Sequence, residues 1–95
     1  MPAATKTVLA VLLPVADDSP PRAVSIEWPE GQFAPEAYRL LDCDTLEPVA
    51  LPDGSWLLCD EDGLAKDWTY NHHASIAANR DIVGPALIVP PDTLS

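Results

Sequence analysis

The tripeptide Pro52-Asp53-Gly54, set between the apolar runs of TLEPVALPDGSWLLCDEDG, constrains this chain more than any other stretch. Asp-Gly favours the tight turn of a β-hairpin, and apolar runs on both sides of it predict two antiparallel strands. With Leu51 opposite Ser55, Val49 faces Leu57 and Glu47 faces Cys59. That register leaves Cys43 outside the ladder and argues against a Cys43–Cys59 bridge. Two cysteines not spaced as a CxxC pair are in any case too few for a disulfide scaffold, so both are read as reduced. Asp60-Glu61-Asp62-Gly63 ends the second strand in a further turn.

The rest of the chain arranges itself around this hairpin. Residues 5–13, TKTVLAVLL, are apolar and β-branched without a helix cap, and read as a buried strand. VADDSPPR breaks regular structure with its two prolines and two acids. AVSIEW, residues 23–28, alternates so that Val24, Ile26 and Trp28 share one side of a half-buried strand. Residues 34–42 predict a short helix: Pro35 suits its first turn, Glu36 meets its positive end, and Ala37, Leu40 and Leu41 form one apolar face. LAKDWTY, residues 64–70, is an irregular connection. Asn71 then caps a helix running from His72 to about Arg80, with Ile76 and Ala77 turned inward and Ala74 and Ala78 near the contact. Residues 82–89 form a last strand, in which Gly84-Pro85 marks a bulge or an edge position. The expected fold is therefore α+β: one small domain over residues 1–95, with flexible ends at 1–4 and 91–95. It has a mixed sheet of about five strands in the order ββαββαβ and two short helices.

Charge narrows the partners. Fifteen acids against five bases give a net charge of −10, which repels nucleic acid and anionic membranes. No apolar run reaches the roughly 18 residues of a membrane span. The apolar start is short and is followed by Pro14 and Asp17-Asp18, which favours a strand over a signal peptide and a cytoplasmic location. The acids favour either simple solubility or a partner with a basic surface. Seven acids and no base lie between Asp42 and Asp62. Residues two apart on a strand are about 6.6 Å apart on one face. Strand-borne acids such as Asp42 and Asp44 would then imitate a DNA backbone, and a DNA-mimic inhibitor of a DNA-binding protein is the first alternative function.

Chemistry is harder to find. His72 and His73 are adjacent, so on a helix they point about 100° apart and one metal ion would seldom take both. No further ligands stand at zinc-like spacing, and we expect no metal and no cofactor. His73 as a general base would need Asp67 or Ser75, which make no recognised arrangement. The DEDG run lacks the closing glutamate of a calcium loop. Phosphate-loop, GxGxxG and GxSxG motifs are absent. A binding face is the better reading: Trp68 and Tyr70, in an irregular segment, stand beside Asn71, His72 and His73. The free N–H groups at Asn71–Ala74 could instead hold a phosphate, so a nucleotide- or small-ligand-sequestering protein is the second alternative.

Asp62-Gly63, Asn71 with Ala74 three residues on, and Ile82-Val83-Gly84 resemble the second half of the phage- and plasmid-associated domain-of-unknown-function 3846 family. The strand–loop–strand–helix order of the first half is similar too. The Pro-rich first loop and the aromatics Trp68 and Tyr70 depart from that pattern. The resemblance implies an accessory protein of a mobile element and brings no catalytic residues with it. The expected function is a small, acidic, non-enzymatic protein that binds a host or viral protein, counter-defence being one such role. Exposed strand edges would also allow a homodimer through the last strand.

Overall fold

In the computed structural model, residues 5–15, 19–62 and 69–94 are described. Five strands and two helices follow in the order β1 (Thr5–Leu13), β2 (Arg22–Pro29), α1 (Pro35–Leu41), β3 (Leu46–Ala50), β4 (Trp56–Asp60), α2 (His72–Ala78) and β5 (Ala86–Val89). The strand order across the sheet is β2-β1-β5-β4-β3. A radius of gyration of 12.8 Å matches the roughly 12.4 Å expected of one folded domain of this length.

Two hairpins frame the sheet. The turn at Pro52-Asp53-Gly54 sets β3 against β4 with Val49 opposite Leu57 and Glu47 opposite Cys59, the register read from the turn chemistry. Gly54 takes φ +92°, a conformation that favours glycine. Ser55 donates its backbone N–H to Asp53 Oδ1 at 3.0 Å, and its hydroxyl donates to the same oxygen. β1 pairs with β2 along almost its whole length, from Thr5–Pro29 to Leu12–Arg22.

β5 closes the sheet by entering between the hairpins, antiparallel to both β1 and β4. This corrects two expectations. The sheet is antiparallel throughout rather than mixed, because neither helical connection places a parallel neighbour: the segment with α1 carries the chain from one edge strand to the other, and the segment with α2 returns it antiparallel to β4. The last strand is also central, so its ladder groups are engaged on both sides. The open edges are β2 and β3, and a homodimer through β5 is excluded by this order.

Alternation along the strands produces two cores, one on each face of the sheet. Val8, Ala10 and Leu12 of β1, Ile26 and Trp28 of β2, Leu46, Leu58, Leu87 and Val89 pack with Ala34, Ala37 and Leu41 of the α1 region and with Cys43. Leu13, Val49, Leu57, Cys59 and Ala86 occupy the other face with Ala74 of α2 and Ile82. Cys43 and Cys59 therefore belong to different layers, and neither forms a disulfide. The first half of β1 is covered on one face only, which leaves Leu9 65% exposed. The end expected to be flexible is folded over Pro91–Leu94, which form a short 3₁₀ turn. Thr93 is buried there, and Leu94 packs on the first core. Residues 1–4 lie outside the described residues.

One buried side chain joins these parts. Asn71 is fully buried. Its Oδ1 accepts the Ala74 N–H at 2.9 Å and caps α2, as its position before the helix predicts. Its Nδ2 donates to the carbonyls of Leu13 (3.0 Å) and Gly84 (2.9 Å), at the end of β1 and at the turn into β5. Its own N–H donates to the Ile82 carbonyl at 2.9 Å.

The amide thus makes three side-chain hydrogen bonds with no solvent to replace them. Asn71→Ala should lose about 1 kcal/mol of capping and leave two buried carbonyls unpaired at about 1–3 kcal/mol each, so a loss of about 3 kcal/mol or more. Asn71→Asp keeps the cap but removes both donors and faces two carbonyls with a carboxylate. It should lose at least as much. Urea denaturation checks this, and a wild-type midpoint in Asn71→Asp would show that the cap alone matters.

Candidate functional site

The segment that leads into α2 decides which residues reach the surface. Tyr70 forms a single antiparallel bridge with Val83, and Gly84 donates its N–H to the Thr69 carbonyl at 2.8 Å. In such an extended segment successive side chains point to opposite sides. Asn71 points in, so Tyr70 points out and is 40% exposed. Its ring meets His72 edge to face, with centroids 4.8 Å apart and planes at 80°.

Within α2 the cap sets the rotation. Ala74 and Ser75 turn inward, three and four residues after Asn71. Ser75 takes an inward place because its hydroxyl bridges both backbone groups of Ile82: it accepts the N–H at 2.8 Å and donates to the carbonyl at 3.2 Å. Ile76 is thereby turned out and is 81% exposed, against the expectation that it packs inward. Ala77 is half-buried and does join the core margin. The helix stops at Ala78, two residues earlier than expected, because Asn79 enters the left-handed region at φ 54°.

His72 and Ile76, four residues apart, share one side of α2, with Asn79 and Arg80 next along it. Tyr70, Ser75, Ile76, Asn79, Arg80 and Asp81 line a shallow open pocket of about 470 Å³. Arg80 reaches Glu47 of β3 at 3.7 Å, a half-exposed pair that ties the rim to the hairpin at no more than about 1 kcal/mol. The structure therefore brings Tyr70 and His72 together on an outward face. His73 is half-buried, and Asn71 is withdrawn from the surface altogether, because its amide is engaged in structural hydrogen bonds. Trp68 lies outside the described residues. Ile76 is the exposed apolar residue of this face that sequence reasoning placed on the inward side. The signal was available: Asn71, Ala74, Ser75 and Ala78 have the i, i+3, i+4, i+7 spacing of the inward face, and Ile76 falls off it.

Other candidates resolve into structure. Asp42 is the C-cap of α1 at φ 51°, and Asp44 lies in the connection before β3, so neither is strand-borne and the phosphate-like spacing proposed for them is not met. Of the strand acids in that stretch, Glu47 pairs with Arg80 and Asp60 is buried. The acidic turn closes on itself: Asp60 Oδ1 accepts the Asp62 N–H at 2.9 Å, and Thr45 donates its hydroxyl to Asp62 Oδ2 at 3.3 Å. The Ala74 N–H that a phosphate would need is taken by Asn71. Among the described residues no group of three or more His, Cys, Asp or Glu side chains could hold a metal ion. No helix among them is long and apolar enough to cross a membrane.

A family model described as Domain of unknown function (DUF3846) matches residues 10–93. The chain belongs to this family. The match takes in all five strands and both helices, with only the first five residues of β1 and the end of the 3₁₀ turn outside it. No curated protein and no solved structure matches the chain.

Cys59 is a weak nucleophile in this fold. Cys59 donates its thiol to the Glu47 carbonyl at 3.7 Å. Burial, reinforced by the Glu47 carboxylate, pushes that thiol up to about 11, so it is protonated at neutral pH. Native Cys59 should resist iodoacetamide at pH 8 and react once guanidinium unfolds the chain, as read by mass spectrometry. Because folding raises this pKa, the unfolded chain loses the thiol proton first. This group's contribution to stability is therefore full below the ordinary thiol pKa and falls as pH rises toward about 11. The loss of stability between pH 8 and pH 10 should be smaller in Cys59→Ala, and rapid alkylation of the native thiol at pH 8 would contradict this account.

Proposed function

We propose that this member of the DUF3846 family is a non-enzymatic protein-binding module that docks through the outward face of α2. The observation that carries this reading is Ile76, 81% exposed beside the exposed Tyr70–His72 pair and over an open pocket. Together with Tyr70 and His72, Ile76 makes a small apolar and aromatic patch rimmed by polar groups, the composition of an interface centre. Tyr70, His72 and Ile76 form the contact, His73 stands at its margin, and Arg80, held by Glu47, forms the rim. The net charge of −10 favours a partner whose surface around the apolar contact is basic, and disfavours direct binding to nucleic acid. A host or viral protein met by an accessory protein of a phage or plasmid fits this chemistry, with counter-defence as one role.

Ile76→Asp places a charge at the centre of the contact without touching either core. The tagged wild-type protein should retain a specific partner from bacterial lysate after a high-salt wash. Ile76→Asp and Tyr70→Ala should each weaken that retention by tenfold or more, about 1.4 kcal/mol, with an unchanged melting temperature. Full retention by both variants would move the interface elsewhere, and loss of the partner in salt with no effect of Ile76→Asp would point to charge alone.

A further inference from the structure

On the side of the molecule where the 3₁₀ turn meets the loop after β2, two hollows of about 230 and 440 Å³ adjoin. Gly31 and Thr93 line both, so they form one groove with two lobes. Together they fall within the roughly 300–1,000 Å³ of small-ligand sites. The first lobe carries Lys6, Glu30 and the edge of Trp28. The second carries Gln32, Phe33, Tyr38 and Leu94. Phe33 and Tyr38 stand edge to face with centroids 6.4 Å apart, a firm aromatic wall. Lys6 crosses from β1 and donates to the Asp92 carbonyl at 2.6 Å, which anchors the 3₁₀ turn and leaves further ammonium protons for another acceptor. Gly31 has φ +83° and open space where a side chain would stand.

One atom makes this groove more than a surface irregularity. Thr93 is 4% exposed, and its hydroxyl oxygen has no hydrogen-bond partner among the described residues. A buried unpaired hydroxyl costs folding free energy, which a ligand group reaching it would recover. Thr93 lines both lobes, so a ligand spanning them passes over this residue. The donor set narrows the ligand. Lys6 only donates, Glu30 only accepts, and Thr93 does both, which complements an edge with adjacent carbonyl and N–H groups. One cation and one carboxylate in a chain of net charge −10 disfavour an anion.

We propose that this groove binds a small, uncharged planar heterocycle, a nucleoside being the class that fits: the base against Phe33 and Tyr38, its polar edge toward Thr93, Lys6 and Glu30. The site is separate from the α2 face and independent of the protein-binding reading. Isothermal titration of adenosine, guanosine, cytidine and uridine, each beside its 5′-monophosphate, tests it. At least one nucleoside should bind with a Kd below about 1 mM, and its monophosphate at least tenfold more weakly. Thr93→Val keeps the shape and removes the unpaired hydroxyl, so it should melt no lower than wild type yet bind the nucleoside about five- to tenfold more weakly. Thr93→Ser should restore binding, and Ile76→Asp should leave it unchanged. No binding by any nucleoside, tighter binding of the monophosphate, or wild-type affinity in Thr93→Val would overturn the proposal.

Discussion

The buried amide of Asn71 is the constraint on which the rest of this structure depends. An amide taken out of water must find partners for one acceptor and two donors, or it costs more than the fold can spare. Here the acceptor caps α2 and the donors reach the last carbonyl of β1 and the turn before β5. Three segments distant in sequence are thereby held at one point. The central strand is delivered between its neighbours by this junction rather than by any turn of its own.

The surface follows from the same junction. Once Asn71 points inward, Tyr70 must point outward. Once the cap fixes the rotation of α2, Ala74 and Ser75 face the sheet and Ile76 faces water. Ser75 strengthens this choice, because its hydroxyl satisfies both backbone groups of Ile82, which an isoleucine at that place could not do. An exposed isoleucine and tyrosine are thus consequences of a polar arrangement beneath them. The second candidate site arises differently, where the 3₁₀ turn closes over the start of β1 and the loop after β2 and leaves the Thr93 hydroxyl without a partner among the described residues.

Much of the fold was legible in the chain. The Asp-Gly turn implied the β3–β4 register, the alternation of Val24, Ile26 and Trp28 identified the buried side of β2, and Pro35 marked the first turn of α1. Asn71 was legible as a cap, since its side chain and the Ala74 N–H are three residues apart. Its other two bonds were not, because Leu13 is 58 positions away. The outward face proposed for binding was legible in part: Tyr70 and His72 are on it, Asn71 is buried, and Ile76 was placed on the wrong side because hydrophobicity outweighed the geometry of the cap. The groove at Thr93 left no trace, as its walls come from four separate stretches.

The sequence by itself determined the local elements, the hairpin register, the single α+β domain and its acidity, because each rests on interactions between near neighbours or on composition alone. Only the tertiary structure decided that β5 is central, that the sheet is wholly antiparallel, that Ile76 is exposed and that the buried Thr93 hydroxyl has no partner among the described residues. These depend on which distant backbone groups a few buried polar side chains must satisfy, and that requirement is met only when the chain is folded.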